Sequence, residues 1–219
     1  MADDAAPDRP PPGTIGPGLE RLVFFSDAVI AIALTLLAID LPIPHGDTEV
    51  EVWDSFVNEL NGAYLTFALS FVVIAAFWTS HHHFYEQMAR LGRGMILRNF
   101  VFLFLIVIMP FATSVLEDTD GSLFGTVFYA AVVAGLGMTR LEMLRYARRH
   151  GLLRPGAGTS RITTILVTVP VVAFGLSIPV ALLFDRRLAQ VMWLVVTLGA
   201  GLVARNIRRR MERTATAQG

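Results

Sequence analysis

Asp27 sits inside an apolar run with Ser26 beside it. An ionisable group in hydrocarbon costs about 2.5–3.5 kcal/mol on insertion scales and marks a site by default. Arg21 is the nearest cation in sequence. Six helical residues, however, place it about 240° round and roughly 9 Å along from Asp27, so the two do not pair well on one helix. The partner must come from another segment. Phe77-Trp78-Thr79-Ser80-His81-His82-His83 and Arg98-Asn99 supply an indole N–H, imidazoles, a guanidinium and an amide at the ends of two further apolar runs. The spacing predicts a polar network joining Ser26 and Asp27 to Trp78, to one of His81–His83, and to Asn99. Two roles stay open for it. It could lock helices in register, which needs no moving part, or Asp27 and the histidines could carry protons.

Metal chemistry has weak support. Adjacent helical residues point 100° apart, so His81, His82 and His83 cannot all face one ion, and zinc sites favour spaced ligands. The other two histidines are His45 and His150. The chain has no cysteine, which excludes disulfides, Cys-ligated zinc and thiol catalysis. It lacks G-x-S-x-G, a P-loop and a catalytic carboxylate pair, so no enzyme, cofactor or metal site is expected.

The elements that must position these residues are set by the solvent. The 219 residues are 54% hydrophobic and only 16% charged, with zero net charge and a mean hydropathy of +0.57. Soluble domains average about 25% charged residues, so lipid is the expected solvent. Neutral balance leaves no field for nucleic acid. Crossing about 30 Å of hydrocarbon takes roughly 20 apolar residues. Six stretches qualify, near 22–41, 63–79, 97–116, 122–139, 162–184 and 188–204, predicting an all-α, multi-pass membrane protein. Residues 1–18, acidic and proline-rich, read as a disordered tail and not a cleavable signal. Residues 19–205 form the membrane domain, and 206–219 a basic tail.

All eighteen basic residues are arginine. They crowd alternate connections: Arg90, Arg93 and Arg98, then Arg140, Arg145, Arg148, Arg149, Arg154 and Arg161, then the tail. Asp47, Glu49, Glu51, Asp54 and Glu59 fill the first connection, and Glu117, Asp118 and Asp120 the third. Only Arg186 and Arg187 fall on the acidic side. The positive-inside rule therefore puts both termini in the cytoplasm, with the inner arginines touching anionic lipid. Val50, Trp53, Phe56, Val57 and Leu60 recur at helical spacing in the first connection, predicting a short amphipathic helix there.

Stepping by four, three and four through the first span gives a stripe of Ala28, Ile32, Thr35 and Ile39. Such stripes usually pack, and Thr35 could bond its own helix carbonyl. If copies surrounded an axis, the stripe would form rings. Rings of isoleucine close a pore by dewetting, and a hydroxyl ring helps replace ion hydration.

Arg21-Leu-Val-Phe-Phe25-Ser26-Asp27 matches R-x-x-x-F-S-D, followed by Ala31-Ile-Ala-Leu-Thr-Leu-Leu. With Phe77-Trp78-x-x-His81-His82 and Asn99…Pro110-Phe111, the chain resembles the transmembrane protein 175 family of potassium channels over all six spans. The resemblance implies a fold unlike the potassium channels with a T-V-G-Y-G filter, a motif missing here. It implies that first-span helices line the pore, with Ile32 as the hydrophobic constriction, Thr35 contributing to potassium preference and Ile39 a lining position further out. Arg21, Phe25, Ser26, Asp27, Trp78, His81, His82 and Asn99 become the structural polar network. Single-repeat members imply a homotetramer in the bacterial inner membrane. The expected activity is passive, potassium-preferring conduction of monovalent cations. The rival is a proton-coupled transporter using Asp27 and His81–His83. That class usually shows matched interrupted spans in two halves, and Pro170 and Pro179 in the fifth span have no counterpart in the second.

Overall fold

The computed structural model describes residues 17–60, 62–119, 122–155 and 161–184, together with Leu188, Met192, Trp193, Val195 and Gly199; side chains of 59 and 161–171 are not described. The two tails (residues 1–16 and 206–219) and most of the 188–204 span therefore lie outside the described residues. Its helices are α1 (Pro17–Leu36), α2 (Glu49–Glu59), α3 (Ala63–Glu86), α4 (Arg93–Asp118), α5 (Leu123–Arg149) and α6 (Arg161–Leu183). No strand is found among the described residues. The architecture is all-helical.

Twenty residues at 1.5 Å each make α1 about 30 Å long, the thickness of the hydrocarbon layer. Pro17 starts it, where a missing N–H is harmless. Leu19, Leu22, Ser26, Ile30, Ala33 and Leu37 are buried, a spacing of three and four that turns one face inward. The α-helical ladder stops at Leu36, short of the expected 41. Ala38 and Ile39 donate instead to the carbonyls of Thr35 and Leu36 in tight i→i−3 turns, and Pro42 and Pro44 follow. In the connection beyond, α2 is the expected short helix. Thr48 caps it by accepting from Glu51 N–H at 3.3 Å, and Glu51 Oε2 accepts from Asp47 N–H at 2.8 Å.

Among the described residues, α3, α4 and α5 are the helices long and apolar enough to cross a membrane on their own. In α1, Glu20, Arg21 and Asp27 interrupt the run. The α4 helix packs against α1, α3 and α5, and α5 carries α6. Phe102, Ile106, Met109, Tyr129, Leu136 and Met143 are fully buried along this seam. Trp193 is buried too, stacked on Phe174 at 5.6 Å and beside Tyr129 at 5.1 Å.

Two helices outrun the lengths their apolar stretches suggested. The α3 helix continues to Glu86 through all three histidines, and α5 continues to Arg149. Arg98 and Arg140, read as loop charges, are helical residues, and Arg140 is buried. The α5 end is closed by a Schellman motif. Gly151 takes φ +58°, Leu152 N–H reaches the Ala147 carbonyl at 2.9 Å, and Gly151 N–H reaches Arg148 at 3.3 Å. The chain then pairs antiparallel with the α3–α4 connection: Ala89 N–H donates to Leu152 at 2.8 Å and Arg154 N–H to Gln87 at 2.9 Å. Arg90 and Arg154 side chains add bonds to the His150 and Met88 carbonyls. The arginine-rich connections thus meet at one end of the bundle, while Ser114 reaches Asp40 at the acidic end.

Candidate functional site

The polar network forms where α1, α3 and α4 meet. Ser26 is fully buried and donates to the Leu22 carbonyl at 2.7 Å, leaving its oxygen to accept from Asn99 Nδ2–H at 2.9 Å. Asn99 Oδ1 accepts twice, from Tyr85 O–H at 3.0 Å and from His81 Nε2 at 2.9 Å. This orientation of the amide is the self-consistent one. Reversing it would leave Tyr85 O–H and the His81 ring N–H as buried donors with no acceptor. His81 therefore carries a proton on Nε2, and it stacks on Phe102 at 5.0 Å.

Asp27 lies at the edge of this cluster. Trp78 Nε1–H donates to its Oδ1 at 2.8 Å. Among the described residues no ion pair joins Arg21 to it, in keeping with the angular argument. The histidines separate as adjacent helical residues must. His81 is buried, whereas His82 and His83 share Glu86 at 3.4 and 3.0 Å, and His82 stacks on Trp78 at 5.6 Å. His82 thus backs the Trp78 ring without entering the buried cluster. Phe25 is exposed and leans on Phe100 at 5.7 Å; Arg21 is exposed. No group of three metal-ligating side chains is found among the described residues.

The opposite face of α1 is open. Ala28, Ile32, Thr35 and Ile39 are all exposed, Ile32 at 59% and Ile39 at 74%. Ile39 lies on the turn beyond the helix, not on the helix itself. Thr35 Oγ1–H donates to the Ile32 carbonyl at 2.8 Å. Its single proton is committed to the backbone, so its lone pairs face outward.

Two side chains, Tyr85 and Arg140, escaped the sequence reading as members of this region, while Arg98, the guanidinium noted beside Asn99, turns elsewhere. Tyr85 completes the Asn99 cluster, and its position four residues after His81 on α3 was the available signal. Arg140 donates from Nη2 to the Ser80 carbonyl at 2.8 Å and hydroxyl at 3.2 Å. Arg98 pairs with Glu142 at 3.3 Å and lies over the Tyr146 ring at 3.9 Å, joining α4 to α5. A second buried set links Tyr129, Ser70 and Thr113 at 3.2 and 2.8 Å. Thr113 also reaches the Met109 carbonyl, beside the N–H that Pro110 lacks.

The family model described as endosomal/lysosomal potassium channel TMEM175 matches residues 21–110. Residues 21–110 thus resemble that family. That segment holds the whole polar network and the open stripe, and the family is one of ion channels, not enzymes. A potassium channel of Streptomyces collinus is 26% identical over 168 residues, 74% of this chain and 81% of that protein. One from Chamaesiphon minutus is 34% identical over 99 residues, 45% of this chain and 49% of that protein. The crystal structure of a lysosomal potassium-selective channel TMEM175 homolog from Chamaesiphon minutus superposes with a TM-score of 0.67 at 23% identity, covering 84% of this chain and 97% of that one. The fold is the TMEM175 fold.

Proposed function

We propose that the chain is a subunit of a passive, potassium-preferring cation channel whose pore is lined by α1. The observation that carries this reading is the two-sidedness of α1. One face is bonded into the bundle through Ser26 and Asp27, and the other presents Ala28, Ile32, Thr35 and Ile39 with nothing from its own subunit over them. Copies arranged about an axis, four by the family resemblance, would close Ile32 into a hydrophobic constriction. Thr35 would form a ring of oxygens whose protons point back into the helix, the polarity a cation needs in exchange for hydration. Ile39 would line the outer vestibule. The arginine-rich end would face the cytoplasm, with both termini there, in the inner membrane of a bacterium. The family resemblance carries the potassium preference, and the names of the bacterial relatives support it, whereas the vertebrate relatives are named proton channels.

The rival proton relay fits the geometry poorly. Asp27 is bonded by an indole, which passes on no proton, and His81 is separated from His82 and His83, which turn to Glu86. The test is potassium flux from proteoliposomes holding the purified protein with no proton gradient. Flux should persist, and Ile32→Ala should raise it or loosen selectivity. Flux that needs a proton gradient, or an Ile32→Ala protein indistinguishable from wild type, would sink the reading.

A further inference from the structure

The turn that ends α1 is braced from two sides. Ala38 and Ile39 close it with i→i−3 bonds, and just beyond it Tyr64 O–H on α3 donates to the Pro42 carbonyl at 2.8 Å. Asp40 sits between these fixed points, directly after Ile39, the last residue of the open stripe. Ser114 Oγ on α4 lies 2.8 Å from Asp40 Oδ2 and 3.1 Å from the Pro110 carbonyl. A hydroxyl has one proton, and the shorter contact to a charged acceptor takes it. The Asp40 side chain is exposed, so the bond fixes where the charge stands without hiding it from water. Among the described residues Oδ1 has no hydrogen-bond partner, and no cation pairs with the carboxylate.

The surroundings do not cancel this charge. In sequence, the stretches 37–62, 117–122 and 184–187 fall at this end and hold ten carboxylates and two arginines, which makes the local potential negative. Asp47, Glu49, Glu51, Asp54 and Glu59 lie on α2 or at its entrance, and Glu51 is spent on Asp47 N–H. Asp40 is the one that continues the backbone of the stripe.

We propose that Asp40, held in place by Ser114, is the carboxylate that collects cations at the outer pore mouth. Repeated about the axis, it forms a charged ring one residue beyond Ile39, which raises the local potassium concentration and sets the rate of entry. Such a ring attracts any small cation and leaves Thr35, deeper in, to choose among them. This role rests on the channel reading, and the measurements below tell the two apart.

Single-channel currents would be recorded with about 10 mM and then about 1 M potassium chloride at the acidic end, where the Debye length is about 30 Å and about 3 Å. Asp40→Asn should cut the current entering from that end several-fold at low salt and leave it unchanged at high salt. Asp40→Glu should restore it. Ser114→Ala keeps the charge but frees it, and should fall between. The chain has no cysteine, so Asp40→Cys allows a before-and-after comparison within one channel. A cationic thiosulfonate reagent added at the acidic end should lower its low-salt current, and an anionic one should raise it. Wild-type protein that passes no passive cation current defeats the channel reading itself. Where wild type conducts, an Asp40→Asn channel that matches it at low salt overturns the role of Asp40, as does an Asp40→Cys channel indifferent to both reagents. A loss of equal size at both salts overturns it too, because a structural defect is not screened. A Ser114→Ala channel identical to wild type removes Ser114 from the device.

Discussion

Asn99→Leu tests the network at its hub. Leucine keeps the branched outline of asparagine but is bulkier, so the change removes polarity and adds some overpacking at this fully buried site. Three bonds disappear, to Ser26, His81 and Tyr85. Ser26 keeps its bond to Leu22, but Tyr85 O–H and His81 Nε2–H become buried donors without acceptors. Interhelical bonds in membrane proteins are worth about 0.6 kcal/mol on average, so three give a floor of about 2 kcal/mol. Two orphaned donors at about 1–3 kcal/mol each set a ceiling near 6 kcal/mol. Relaxation and the partners available to an unfolded chain in the bilayer favour the lower half, about 2–4 kcal/mol. The assay is unfolding of the purified protein in mixed micelles by increasing detergent denaturant, followed by tryptophan fluorescence. Ser26→Ala, which strands only one Asn99 N–H, should cost about 1–2 kcal/mol. The double variant should cost less than the sum, because the two changes delete the same bond. An Asn99→Leu protein destabilised by less than about 0.5 kcal/mol, the range of an inert surface change, would refute the reasoning.

Trp78→Phe keeps a ring against His82 but deletes the bond to Asp27. The site is half open in the subunit, so stability should fall by at most about 1 kcal/mol, while channel open probability changes more than stability does. Bilayer recordings paired with melting curves separate the two. Thr35→Ala removes the outward oxygen and should shift the reversal potential toward sodium under bi-ionic conditions; an unaltered potential counts against the selectivity role. Gly125→Ala puts a methyl group 2.5 Å from Thr119 Oγ1 and 3.1 Å from the Leu116 and Val115 backbone. It should destabilise the α4–α5 junction by about 1–3 kcal/mol, seen as a lower melting temperature with permeation ratios unchanged.

The residues of the network were legible because each breaks a rule of its surroundings. Ser26 and Asp27 interrupt an apolar helix, and Trp78, His81 and Asn99 sit at the same level of neighbouring ones. Which histidine joins was not legible, since three successive residues sample most of a helix circumference and only the packed register selects His81. Arg140 was misplaced for a different reason. A hydropathy run ends at its first charge, whereas the α5 helix continues for nine residues beyond Arg140, its buried side now Met143, Leu144 and Ala147 and its exposed side Arg145, Arg148 and Arg149. The signal changed from uniform apolarity to a 3.6-residue period, and a search for spans alone passes over that change. The end of α1 at Leu36 was obscured similarly, because Leu37, Ala38 and Ile39 stay apolar while the backbone tightens into turns.

The two faces of α1 are also unequal in how freely they can vary. Ser26, Ile30, Ala33 and Leu37 are committed to the fold, and substitution there is felt throughout the bundle. Ala28, Ile32 and Thr35 touch little of their own subunit, so replacing them leaves the protomer's folding energy nearly untouched. If these residues line the pore as proposed above, conduction can therefore drift, residue by residue, toward wider or narrower, more or less discriminating, under little constraint from stability. One helix carries both the part of the protein least able to change and the part most able to.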